Sequence, residues 1–167
     1  MDMHMFGAMY APTDYLTLMA MTSYSEKEMT QQRMPMSGSS RFDVNSSGIG
    51  DTRISGLFRL YSDHRMKSHM GLGLSLPTGS IDERDATPAS ADARLGYAMQ
   101  NGSGTLDPFF FINNVNDFGK VKLGEQFYVK IPASGKNSKD YEYGENFDAT
   151  VWSSYRWLDN LSTSVKI

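Results

Sequence analysis

Soft sulfur is the most distinctive chemistry that this sequence offers. It contains 12 methionines and no cysteine, and Met3, Met5, Met9, Met19 and Met21 crowd its first stretch. Thioethers are neutral, soft donors suited to Cu(I). Setting Ala11 opposite Tyr15 about the turn Pro12-Thr13-Asp14 makes Met3, Met5 and Met21 neighbours, with Met19 beside them, while His4 points the other way. Met3, Met5, Met19 and Met21 therefore form a candidate copper set. The plainer alternative is flexible apolar filling, or a slippery wall for apolar solutes.

Charge supplies the second chemistry. Arg53, Arg59, Lys67, His69, Lys120, Lys122, Gln126, Arg156 and Lys166 fall on the polar side of period-two patterns, countered by Asp107 and Asp148. In a water-filled channel such residues would favour anions. In a narrow interior they would pair into a plug. Catalysis finds little support, because Ser68 faces away from His69 on a strand and neither Ser68 nor Ser75 has an acidic orienter within reach. We expect no enzyme activity. The glycine-rich stretches 71–79 and 102–104 open no helix, which argues against a phosphate cradle. Asp82-Glu83-Arg84-Asp85 with Asp92 could bind Ca²⁺, but reads better as a solvated loop.

The elements that position these groups are strands. From Arg53, the polar Arg53, Ser55, Arg59 and Tyr61 alternate with Ile54, Phe58 and Leu60; after Ser62-Asp63-His64-Arg65, Met66, Met70, Leu72, Leu74 and Leu76 alternate with Lys67, His69, Gly71, Gly73 and Ser75. This is an antiparallel hairpin, and pairing Leu60 with Met66 gathers the apolar residues on one face. Further hairpins are expected over residues 1–24, over residues 105–131 turning at Asn116-Asp117, and over residues 146–167 turning at Trp157-Leu158-Asp159. In the third, Val115 sits opposite Phe118, Phe109 and Phe111 fall on the polar side, and Glu125 falls on the apolar side. Residues 25–50, 77–104 and 132–145 read as long loops.

A net charge of −3 and a pI near 5.6 give no basic footprint for nucleic acid. Hydrophobic residues make up 40 %, but no run is long enough for a transmembrane helix. No basic stretch followed by an apolar run opens the sequence, so a signal peptide is expected to be either absent or already removed. Alternating strands hide from hydropathy, and the short–long alternation of connections matches outer-membrane barrels. The expected fold is all-β: an antiparallel up-and-down transmembrane β-barrel of about eight strands, a single domain over residues 1–167, belonging to a larger barrel and lacking its N- and C-terminal strands. Its surroundings would be the lipid bilayer and lipopolysaccharide of the outer membrane. A soluble lipocalin-like barrel would instead put the Leu/Phe face inside.

MDMHMFGAMYAPTD from Met1, SSGIGDTRISGLFRLY from Ser46, GLGLSLPTGSID from Gly71 and MQNGSGTLD from Met99 resemble bacterial outer-membrane proteins of the transporter-like family of the meta-pathway of phenol degradation. The resemblance implies an outer-membrane barrel of a Gram-negative bacterium with a channel or uptake role for small, apolar or aromatic solutes. It carries no catalytic motif. The alternative function is a non-conducting binding or structural barrel that takes copper at its methionine face.

Overall fold

The computed structural model describes residues 1–33 and 40–167. The strands are β1 (Asp2–Thr13), β2 (Leu16–Arg33), β3 (Ser40–Ile49), β4 (Thr52–Ser62), β5 (Met66–Leu76), β6 (Arg84–Thr87), β7 (Ser90–Arg94), β8 (Asp107–Asp117), β9 (Val121–Lys130), β10 (Asn146–Leu158) and β11 (Leu161–Lys166), with one short 3-10 turn at Tyr97–Met99. Hydrogen bonding runs in the order β1-β2-β4-β5-β8-β9-β10-β11 in an all-antiparallel sheet curled into a half-barrel. These are the eight strands expected. β3 pairs with the far half of β2, and β6 and β7 form a separate hairpin. β1 and β11 stand at the two edges of the main sheet and are not neighbours.

Period-two sequence becomes two-faced structure. Across β4, β5, β8 and β9 the convex face is built of rows such as Ile54–Leu74–Pro108 and Phe58–Met70–Ile112–Phe127. Large apolar side chains stand exposed here, among them Phe6, Leu18, Leu72, Phe127, Phe147 and Val151. The concave face carries Arg53–Ser75–Asp107, Leu57–Gly71–Phe111–Tyr128–Asp148 and Arg59–His69–Asn113–Gln126–Thr150. Arg53 of β4 and Lys130 of β9 line one cavity across two intervening strands, as curvature toward that face requires. The apolar face is thus the outside of the curve, the reverse of a lipocalin-like interior.

A cluster of buried apolar residues lies on the β2–β3 extension of the sheet. Val44 of β3, Leu95 and Met99 pack together with Phe42 beside them. The Ser46 hydroxyl donates to Met99 O at 2.6 Å, and the Asn45 N–H donates to Asp85 Oδ2 at 2.7 Å. Of residues 25–50, expected as a loop, the described 25–33 and 40–49 therefore pair instead as antiparallel strands. Alternating Phe42 and Val44 find their partners in the segment after β5, so the pattern was too short to announce itself. Met34 and Met36 lie outside the described residues. Residues 77–104, also expected to be irregular, contain the β6–β7 hairpin.

Three glycines of the concave wall carry aromatic rings from the adjacent strand. A Cβ on Gly71 would enter the Phe111 ring, one on Gly73 the Phe109 ring, and one on Gly124 the Trp152 indole. The missing side chain lets each ring lie flat on the neighbouring backbone. Gly71→Ala is expected to displace Phe111 and cost about 1–3 kcal/mol. Gly96→Ala, where a Cβ meets nothing within 4 Å, is the control, and urea unfolding of both variants is the measurement.

Candidate functional site

Where the strands end at their long connections, three sequence motifs converge. The Asp51 carboxylate accepts the Gly79 N–H at 3.1 Å and the Ser103 N–H at 2.8 Å. Thr78 Oγ1 accepts the Thr52 N–H at 2.8 Å and lies 3.1 Å from Gly50 O, to which its hydroxyl donates. Gly79 and Gly102 meet backbone to backbone: a Cβ on Gly79 would lie 2.6 Å from the Gly102 Cα. Gly48-Ile49-Gly50-Asp51, Pro77-Thr78-Gly79-Ser80 and Asn101-Gly102-Ser103-Gly104 thereby form one knot that folds the segment after β5 over the mouth of the half-barrel.

A second segment, residues 131–145, closes against the first. Tyr97 stacks on Tyr141, and the Tyr143 ring meets Tyr97 edge-on at 4.4 Å between centroids. Asn137 Nδ2 donates to Ser103 O at 3.0 Å. Lys130 Nζ sits 5.7 Å from the Tyr143 ring centroid and 3.2 Å from Asp107 Oδ2. Asp107 is 0 % exposed and also accepts the Thr105 hydroxyl at 2.6 Å. Together the two segments make a cap.

Beneath the cap lies a cavity of about 350 Å³, lined by Met3, Met5, Met21, Lys27, Arg53 and Lys130, with Asp51, Asn101 and Tyr143 also on its wall. The Lys27 ammonium donates to Gln100 O at 2.6 Å and Ala98 O at 3.2 Å. Burial lowers its pKa, while the nearby Glu83 pulls the other way. The Arg53 guanidinium makes no hydrogen bond or ion pair to any described residue.

The register places Arg53, Arg59, Lys67, His69, Lys122, Gln126, Asp148 and Arg156 on the concave face, as the alternation implied. Lys120 is a correction. It sits in the turn before β9, where its carbonyl accepts the Arg156 N–H at 2.8 Å, so it marks the rim rather than the wall. The methionine set is also rearranged. β1 pairs with β2 two residues away from the expected register, so Met5 faces Ser23, Met3 faces Ser25 and Met21 faces Gly7. Met3, Met5 and Met21 still share the cavity. Met19 does not line it, being opposite Met9 instead.

Sequence reasoning missed the aromatic residues of the cap, Tyr97, Tyr141 and Tyr143, which lie in irregular stretches without period. It also missed Lys27 and Lys130 as wall residues. The acidic run is consumed internally: Asp82 pairs with Arg84, Arg94 and Lys139, Asp92 pairs with Arg84, and the Asn45 and Ala86 N–H groups hold the Asp85 carboxyl below its usual pKa. Among the described residues no group of three or more His, Cys, Asp or Glu side chains is placed to hold a metal ion. Ser68 and His69 fall on opposite faces, and the Ser68 hydroxyl donates outward to Asn114 Oδ1 at 2.6 Å. No family model and no curated protein matches the chain.

Proposed function

We propose that the chain is part of an outer-membrane β-barrel that admits small apolar or aromatic solutes along its concave face. The observation that carries this reading is the inversion of the sheet. Its convex face exposes Phe6 at 61 %, Leu72 at 51 %, Phe127 at 46 % and Phe147 at 59 %, which water would penalise and lipid would not. The charges face inward. β4, β5 and β8 have 11 residues each, at about 3.3 Å per residue enough for a tilted crossing. Tyr10, Tyr15, Tyr61, Phe118, Tyr155 and Trp157 cluster at the short-turn end, the position of an interfacial aromatic girdle. Glu125, the misfit on the convex face, takes a hydrogen bond from Asn114 Nδ2 at 3.1 Å. The resemblance to transporter-like proteins points the same way.

Single-channel recording in planar bilayers tests it. Steady conductance supports passage along the concave face; silence from folded, inserted protein overturns passive conduction. A second reading, a binding barrel for copper, draws on the shared cavity of Met3, Met5 and Met21. Arg53 lies directly opposite Met21, which works against a cation. Titration with Cu(I) against Met5→Ser and Met21→Ser decides it, since both substitutions remove a ligand without changing charge.

A further inference from the structure

We propose that the cavity under the cap binds a small organic carboxylate, with its apolar body against Met3, Met5 and Met21 and its carboxylate on Arg53. This rests on the reading of the concave face as aqueous, but binding does not require conduction. The volume, about 350 Å³, falls within the range of small-ligand sites. Its charges decide the sign of the ligand. Of the three cations on the wall, Lys27 is held by two carbonyls and Lys130 by the Asp107 carboxylate. The acid on the wall, Asp51, is spent on the Gly79 and Ser103 N–H groups of the knot. Arg53 alone keeps all its donors, and its planar fork matches a carboxylate in two-point contact. A cation would meet Arg53, Lys27 and Lys130 together. A neutral apolar molecule would leave the guanidinium unanswered.

The neighbouring strands β1 and β2 choose the body. Met3, Met5 and Met21 are 53 %, 70 % and 39 % exposed, and their unbranched thioethers can mould to an irregular apolar shape. Met21 leans over Gly7, where a Cβ would lie 3.4 Å from its Cγ. The Tyr143 ring of the cap also lines the cavity. Charge and grease thus lie side by side in one small space, which suits a molecule with one anionic end.

The test is isothermal titration calorimetry on the chain in lipid nanodiscs, comparing cyclohexanecarboxylate with its neutral isostere cyclohexanecarboxamide. The carboxylate is expected to bind at least tenfold more tightly. Arg53→Gln should remove that preference and leave the amide unchanged, and Arg53→Lys, which keeps the charge but loses the fork, should fall between. Arg156→Gln, near the opposite end of the concave face, should alter neither ligand. Equal affinity for acid and amide would overturn the proposal, as would no measurable binding of the acid, or an equal loss in Arg156→Gln. Arg53→Lys also serves if Arg53→Gln does not fold: an unchanged acid preference in it would count against the two-point contact. Carboxylate binding by a protein that does not conduct would sink the channel and leave the site standing; conductance without binding would do the reverse.

Discussion

Lys130→Met is expected to cost about 3–5 kcal/mol, because it strands a carboxylate that water cannot reach. Asp107 is 0 % exposed and the Lys130 ammonium is its sole ion-pair partner among the described residues, at 3.2 Å. Thr105 donates one hydrogen bond at 2.6 Å and cannot neutralise the charge. Removing the carboxylate as well should recover most of the loss, since an apolar pair in the same space has nothing left to solvate. The double variant Asp107→Leu/Lys130→Met is therefore expected to be far closer to the parent than Lys130→Met alone. Urea unfolding of the two single variants and the double closes the cycle. Simple additivity of the two losses would show that the two groups are not coupled.

Phe127→Arg carries the second large effect and tests where the convex face lives. Phe127 lies between Ile112 and Ala149 at mid-height of the sheet and is 46 % exposed. If that face meets acyl chains, an arginine at mid-depth costs about 2–4 kcal/mol. If it meets water, the same substitution removes an exposed ring and changes little. Gln126→Arg, one residue away on the concave face, is expected to be nearly neutral in either case. Reversible unfolding in liposomes reads the difference. Parity between the two variants would refute the lipid-facing assignment.

The faces were legible in the sequence, whereas the registers were not. For the hairpins of β1–β2 and β4–β5 the expected pairing is two residues away from that observed, and for β8–β9 six residues away. Up to the irregularities near the turns these slips are even, so the side chains kept their faces, whereas beyond Arg59 the pairing of Tyr61 with Ser68 is an odd slip that carries Tyr61 to the convex side. The turns account for them. β8 runs on to Asp117 and turns through Gly119, whose φ of +83° and N–H donated to Asp117 Oδ1 at 2.8 Å close the loop, so the glycine rather than Asn116-Asp117 marked the reversal. In the central hairpin an irregularity between Arg59 and Tyr61 shifts the ladder, and nothing in that stretch announces a bulge. The candidate site was legible only in part. Arg53 and the methionines stand on strands, where alternation assigns them a side. Lys27 and the tyrosines of the cap reach the cavity through contacts between segments far apart in sequence, such as Ser25 Oγ to Asn101 Oδ1, and alternation is silent about those.

The two edges of the sheet set a condition on how this fold can enter a hydrocarbon phase. β1 runs for 12 residues with β2 on one side and, among the described residues, no strand on the other, so every second residue directs its amide and carbonyl away from the sheet. In water these groups are solvated at little cost. In lipid each would forfeit its solvation, at several kcal/mol apiece, and a handful of them exceeds the whole stability of a typical domain. An open sheet would therefore stall at the membrane surface. Insertion and the pairing of both edges must then be one concerted event, and the rate at which partners for those edges are supplied would set the pace of entry into the bilayer.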